Sequence, residues 1–306
     1  MRYNELGHTG MSVSALGFGG SALHAHGETD AAAHAAVRRA IDEGINYVDT
    51  SPLYGNSEAV LGHALKGRRD EVVLATKCGA YPGPQYDHSR TRIRRSLEES
   101  LRRLRTDRID LFQLHDIEFS RREQIIAESV PEMQALKREG KVRAIGITGY
   151  PLRNLRAVAE AREVDVVLSY CHYTLLNTRM DAVLKTFCRE RGIGLINAAP
   201  LHMGLLCERK PPSWTPTTPA LLATVARAAL RCREAGTNLA TLAVRFSLQH
   251  PTVATTLIGM ASVAEVEDDL RAADAPPDAD LVREVQEILA GFCDYAWPCG
   301  REENQD

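Results

Sequence analysis

Short apolar runs alternate with helix-period segments along nearly the whole chain. Eight runs stand out, at 13–18, 45–49, 72–77, 109–115, 143–148, 164–169, 194–198 and 255–258. Stretches such as "VVLAT" and "VDVVLSY" are almost continuous rather than alternating, as parallel strands covered on both faces require. Between the runs, "TDAAAHAAVRRAIDEG" lines up Ala33, Ala36, Val37, Ala40 and Ile41, with Thr29 as N-cap and Gly44 as the stop. "SRTRIRRSLEESLRRL" puts Ile93, Leu97, Leu101 and Leu104 on one face, and Glu98–Arg102 and Glu99–Arg103 one turn apart. The periodicity predicts further helices over 123–139, 152–161, 179–191, 220–235, 238–249, 262–271 and 280–290. Eight strands alternating with helices over about 250 residues predict an α/β fold, a (β/α)8 TIM barrel with its site at the C-terminal rim. Residues 1–300 are read as one domain and 301–306 as a disordered tail. The proline-rich "KPPSWTPTTP" reads as a mobile flap. A doubly wound sheet is the alternative, but "GFGGSA" lacks the third glycine of the dinucleotide fingerprint.

Composition narrows the function. The 306 residues carry a formal net charge of −3, with 44% hydrophobic and 25% charged residues. Such a balance favours neither nucleic acid nor an anionic membrane as partner. No apolar window approaches the roughly 20 residues of a membrane span, and "MRYNELGHTGMSVSALGFGG" has no signal-peptide core. The expectation is a cytoplasmic protein, a monomer or small homo-oligomer, acting on a small molecule. Seven cysteines without a CxxC read as reduced thiols, most of them core fillers. The ten histidines show one H-x-H pair, "HAH" at 24–26, without carboxylate partners, so no metal site is expected.

Chemistry gathers at the ends of strands two, three and four. Asp49 ends "NYVD", Tyr54 follows on the loop "TSPLYG", Lys77 closes "VVLATK" and His115 closes "LFQLH". Each has a structural reading by itself. Asp49 could form an Asx turn, Tyr54 could pack, Lys77 could be a solvated strand end, and His115 could be a satisfied rim residue. Their co-occurrence on three neighbouring strands outweighs those readings. A lysine ending a buried strand needs a counter-charge, which Asp49 supplies. An ammonium beside a phenol favours the phenolate and makes Tyr54 a usable base.

"D-x4-Y" after strand two, Lys after strand three and His after strand four resemble the catalytic tetrad of the aldo-keto reductase superfamily. The motifs "DTSPLYG", "LATKCG", "LHDIE", "KREGKVRAIGITG", "SYCHYTLLN" and "APLHMGLL" carry the resemblance over about residues 3–270. It looks closer still to the branch of L-galactose and L-fucose (D-threo-aldose) dehydrogenases. The resemblance implies a (β/α)8 barrel, a nicotinamide cofactor, and Asp49, Tyr54, Lys77 and His115 as catalytic residues. It further implies NAD-dependent oxidation of the C1 hydroxyl of a sugar hemiacetal to an aldonolactone, with Tyr54 as general base or acid. Implied cofactor contacts are Gly20, Ser21 and Asp49, then Thr148, Gly149, Ser169 and Tyr170 for the carboxamide. Ala199, Pro200, Leu201, Met203 and Gly204 would line the pyrophosphate, and Gly259, Met260, Ser262, Glu265 and Asp269 the adenosine end. Relatives that prefer NADP place a cation after strand eight. Here 259–270 holds none, and Glu265 and Asp269 repel a phosphate while accepting from ribose hydroxyls, so NAD is expected over NADP. Loop residues expected to face the sugar, beside Tyr54 and His115, are His24, Tyr81, Asp116 and Trp297. Pyridoxal-type aldehydes are the rival substrate. A non-catalytic, dinucleotide-binding regulatory subunit is the rival class, but the Arg-rich helix 92–108, interspersed with Glu98, Glu99 and Asp107, looks solvated rather than built for docking.

Overall fold

The computed structural model describes residues 1–306 apart from Ala25, Glu28 and Pro84. Eight parallel strands close into a barrel in chain order. They are β1 (Leu16–Gly19), β2 (Tyr47–Asp49), β3 (Val73–Cys78), β4 (Ile109–Leu114), β5 (Val142–Gly149), β6 (Val166–Tyr170), β7 (Gly194–Ala198) and β8 (Val253–Gly259). Their continuous apolar runs serve two faces. Outward residues such as Phe18, Val48, Leu74, Phe112, Ile145 and Val167 join one core with the surrounding helices. Inward residues Tyr47, Ala75, Leu111, Ala144, Val166, Ile196 and Leu257 fill the barrel, as such barrels require.

The run at 13–18 is two strands, not one. Ser12–Ser14 pairs antiparallel with Tyr3–Glu5, and Leu16–Gly19 enters the barrel. At Ala15 the chain changes partner: its N–H donates to the Arg2 carbonyl, while its own carbonyl accepts from Thr256 N–H. The hairpin carries Leu6, Met11 and Val13 onto the inward-facing layer and plugs the barrel floor.

Helices fall where periodicity placed them, at Ala31–Asp42, Arg90–Arg103, Leu152–Ala161, Pro219–Glu234, Leu239–Leu248, Val263–Ala273 and Ala279–Leu289. Those over 122–138 and 181–191 each contain one π turn, Ile125–Ser129 and Asp181–Lys185. The first helix is capped by Asp30 rather than Thr29, the Asp30 carboxylate accepting from Ala32 and Ala33 N–H. One helix, Ser57–Ala64, has no stripe to betray it. Of its eight residues all but His63 are buried, so no polar face marks its period.

Residues 301–306 are not a free tail. Asn304 is fully buried and its amide donates to the Glu118 and Ser120 carbonyls, while Asp306 accepts from Leu152 and Arg153 N–H. In the "HAH" stretch Ala25 lies outside the described residues. His26, expected without a carboxylate partner, pairs with Asp30 at 2.9 Å. The described residues contain no metal-ligand cluster, and no helix among them is long and apolar enough to cross a membrane. All seven cysteines are free.

Candidate active site

The barrel closure sets β2, β3 and β4 side by side, so Asp49, Lys77 and His115 reach the rim as neighbours. Lys77 is 1% exposed, and an ammonium buried to that degree needs compensation. It donates to the Asp49 carboxylate and, at 2.9 Å, to the Thr50 carbonyl. The Gln113 amide on β4 donates to the other Asp49 oxygen at 3.0 Å. Burial, the largest single influence, pulls the Lys77 pKa down, but Asp49 and Tyr54 together outweigh it and hold the ammonium above the ordinary lysine value.

Tyr54 arrives from the loop after β2, which Pro52 and the Tyr54 N–H to Ser51 carbonyl bond turn back over the rim. The Lys77 ammonium lies 4.9 Å from the Tyr54 ring centroid, and the His115 ring meets it edge-on at 5.6 Å. Burial pushes the phenol up to about 12, against a downward pull from the Lys77 charge. The sign of the lysine effect is as expected from sequence, but desolvation is the larger contribution. Tyr54 is therefore a protonated phenol at neutral pH.

His115 stands just past β4, 5% exposed, and burial together with the Lys77 charge holds it neutral. Its Nδ1 lies 2.9 Å from Ser51 Oγ. Its carbonyl lies 2.8 Å from Nε2 of His88, which fixes the backbone from below. The next residue, Asp116, adopts the left-handed conformation (φ +51°), held there by its N–H donating to Thr148 Oγ1 at 3.3 Å. Its carboxyl faces the same space, 3.8 Å from His115 Nε2, and burial lifts its pKa to about 7.

These groups form one end of a cleft of about 600 Å³, within the size range of small-molecule sites. Of the residues proposed from sequence, Asp49, Tyr54, Lys77, His115, His24, Asp116, Ser21, Thr148, Tyr170, Ala199, Pro200, Leu201, Met203, Gly204 and Gly259 line it. The others do not. Gly20 is small because a β-carbon would lie 2.6 Å from Ser57 Oγ and 2.9 Å from the Asp49 carbonyl. Gly149 makes room for a buried carboxyl, a β-carbon there lying 2.5 Å from Glu118 Oε2. Ser169 bonds His172, and Met260 sits in the outer core. Tyr81 accepts from Gly79 N–H and packs under the Arg92 guanidinium. Trp297 stacks on Tyr150 at 4.3 Å and lines a separate cavity beside the chain end.

The adenosine-end carboxylates also stand beside the cleft rather than in it. Ser262 Oγ accepts from Glu265 N–H and Glu265 accepts from Ala261 N–H, two bonds that cap the start of Val263–Ala273. Burial and the neighbouring Glu265 and Asp268 charges raise Asp269 to about 7. The cation missing from 259–270 comes from elsewhere: Arg209, past β7, lines the cleft and sits 3.9 Å from Glu265. Trp214 of the proline-rich stretch, 66% exposed, lines the cleft too, and Thr215 ties that stretch to the Met203 carbonyl.

A family model, Aldo/keto reductase family, matches residues 15–290. The chain belongs to that family and is an oxidoreductase of a kind that acts on CH–OH donors with a nicotinamide cofactor. It is 41% identical to L-galactose dehydrogenase of Arabidopsis thaliana over 98% of both chains. It is 31% identical to D-threo-aldose 1-dehydrogenase of a Pseudomonas species, covering 91% of this chain and 94% of that one. Among solved structures, the holo form of an aldo-keto reductase from Bacillus halodurans superposes over the full length of both chains with a TM-score of 0.80 at 28% identity. The cleft fits the cofactor. Ala199, Met203 and Gly204 take positive φ, so the loop after β7 folds along one wall. Gly259, Ser21 and Ala22, from β8 and the turn after β1, line the cleft as well.

Proposed function

We propose that this protein oxidises the C1 hydroxyl of a sugar hemiacetal, of the L-galactose or L-fucose and D-arabinose kind, to an aldonolactone, with NAD preferred over NADP. One observation carries the reading: a phenol, an ammonium and a neutral imidazole meet at one point of a cleft beside a buried carboxyl, Asp116. A single oxygen atom can touch Tyr54 and His115 there, and the Asp116 carboxylate can accept from the hydroxyls next to it. A sugar offers that density of hydroxyls; a simple aldehyde does not. The relatives named for L-galactose and D-threo-aldose support the substrate class.

The nicotinamide cofactor, when bound, supplies the hydride acceptor. The wall of Ala199–Gly204 and the rim residues Ser21, Thr148, Tyr170 and Gly259 would hold it. Everything else falls to the chain's own groups. Tyr54 exchanges the proton of the C1 oxygen. Lys77, fixed by Asp49, lowers the cost of a phenolate there. Burial leaves that phenolate scarce at neutral pH, so oxidation gains rate as pH rises, and carbonyl reduction uses the protonated phenol directly. His115 donates to the same oxygen and steadies charge developing on it. Asp116 orients the ring through its neighbouring hydroxyls.

The cofactor preference rests on charge. Glu265 and Asp269 set two carboxyl groups beside the far end, and Glu265 engages Arg209, the cation that could otherwise hold a 2′-phosphate. The test is formation of reduced cofactor, with NAD and then NADP, across a panel of aldoses and pyridoxal. The expected result is turnover with L-galactose or its stereochemical relatives and a lower KM for NAD. Turnover confined to pyridoxal, or a lower KM for NADP, overturns the corresponding half of the reading.

A further inference from the structure

Ser51 lies in the turn "DTSPLYG", contributes no side chain to the cleft lining, and is fully buried. Its Oγ has two partners among the described residues: it accepts from Leu53 N–H at 3.1 Å and lies 2.9 Å from His115 Nδ1. A serine hydroxyl has one proton to give. If His115 carried its proton on Nδ1, Ser51 Oγ would face two donors and its own buried proton would have no acceptor. With Nδ1 bare, every group is satisfied: Leu53 N–H donates to Ser51, and Ser51 O–H donates to Nδ1. A buried polar network settles on the arrangement that leaves nothing unpaired.

We propose that Ser51 is a positioning residue that sets the tautomer of His115, placing its single proton on Nε2. This rests on the reading of His115 as a donor to the reacting oxygen. Nε2 is the nitrogen turned to the cleft, beside Asp116 Oδ1 at 3.8 Å, too far for a hydrogen bond. That leaves Nε2–H available to the C1 oxygen in both directions of the reaction. The opposite tautomer would present a lone pair to that oxygen and repel it. The second ring nitrogen of a functional histidine is usually governed by such a partner. The device is local: the turn that brings Tyr54 over the rim also supplies the hydroxyl, three residues upstream.

Nitrogen NMR of histidine-labelled protein, with NAD present, reads the tautomer directly. In the native chain His115 should show a protonated Nε2 and a bare Nδ1. Ser51→Ala should turn this into a mixture and lower kcat about tenfold, with the KM for NAD unchanged and the other histidine signals in place. Ser51→Thr, which keeps the hydroxyl, should restore both. In a His115→Ala background Ser51→Ala should cost nothing more, since the serine then has no polar side chain to direct. A native Nδ1–H tautomer, or Ser51→Ala with unchanged tautomer and kcat, overturns the inference even if His115→Ala is inactive. An active His115→Ala protein would overturn the donor reading of His115 itself, and the NMR result would still decide whether Ser51 sets the tautomer.

Discussion

The two ends of the cleft are built on opposite plans. At the reaction end, Asp49, Lys77 and His115 come from strand termini, are 5% exposed or less, and are each held by at least one further group. Gln113 steadies Asp49, Thr50 steadies Lys77, and Ser51 and His88 hold His115 from two sides. At the far end, Arg209 and Trp214 come from a long loop after β7, are largely exposed, and Arg209 pairs with Glu265 at only 3.9 Å. A proton transfer tolerates little misplacement, so the groups that flank the Tyr54 loop sit at strand ends. Choice of cofactor needs only a difference of charge, which an exposed loop can supply.

The comparison can be broken most strongly at Tyr54. Tyr54→Phe should lower kcat about a thousandfold while cofactor affinity, measured by quenching of protein fluorescence, stays within twofold. Retained turnover would remove Tyr54 from the proton path. Lys77→Met comes next, with a kcat loss of about a hundredfold. Because the Lys77 charge lowers the Tyr54 pKa, its removal should also move the rising limb of the oxidation rate to higher pH. The same change strands a buried carboxylate, so denaturant unfolding should show a loss of about 3 kcal/mol. An unshifted pH profile would mean the ammonium holds geometry alone.

Asp116 lies between the two plans, buried yet facing substrate. Asp116→Asn should raise the sugar KM about tenfold by weakening acceptance from hydroxyls. Its pKa is lifted to about 7, so the accepting form is lost as pH falls through that value. The native sugar KM should therefore rise below pH 7 and the variant's should stay flat. A native KM flat over the same range would place Asp116 outside substrate binding. The smallest effect belongs to the loop end. Glu265→Gln keeps the helix cap but frees Arg209, and the KM for NADP should fall about threefold, the scale of an exposed ion pair. No change would show that Arg209 stays clear of the ribose.

Legibility in the sequence followed exposure and locality. Strands buried on both faces and helices with one apolar stripe announce themselves, and so do polar groups that break a buried run, which is why Asp49, Lys77 and His115 stood out. Ser57–Ala64 did not, since a helix covered all round has no period to read. Tyr81 and Trp297 looked like substrate contacts because loop position says nothing about direction: one packs under Arg92, the other against Tyr150. Asn304 looked like part of a disordered tail because a polar segment gives no hint of the carbonyls it will meet. Ser51 and Gln113 left a faint trace, a polar residue two positions from a catalytic candidate, too common to single out.

By itself, then, the order of residues determined the barrel, the three strand ends that bear Asp49, Lys77 and His115, and the loop that brings a phenol to them. These depend on periodicity and on the cost of burying an ion, both written along the chain. Which way each loop side chain turns, which hydroxyl faces which imidazole nitrogen, and which cation reaches Glu265 were decided only when distant segments packed together. Hydrogen bonds are won or lost over a fraction of an ångström, and no spacing along the chain encodes that.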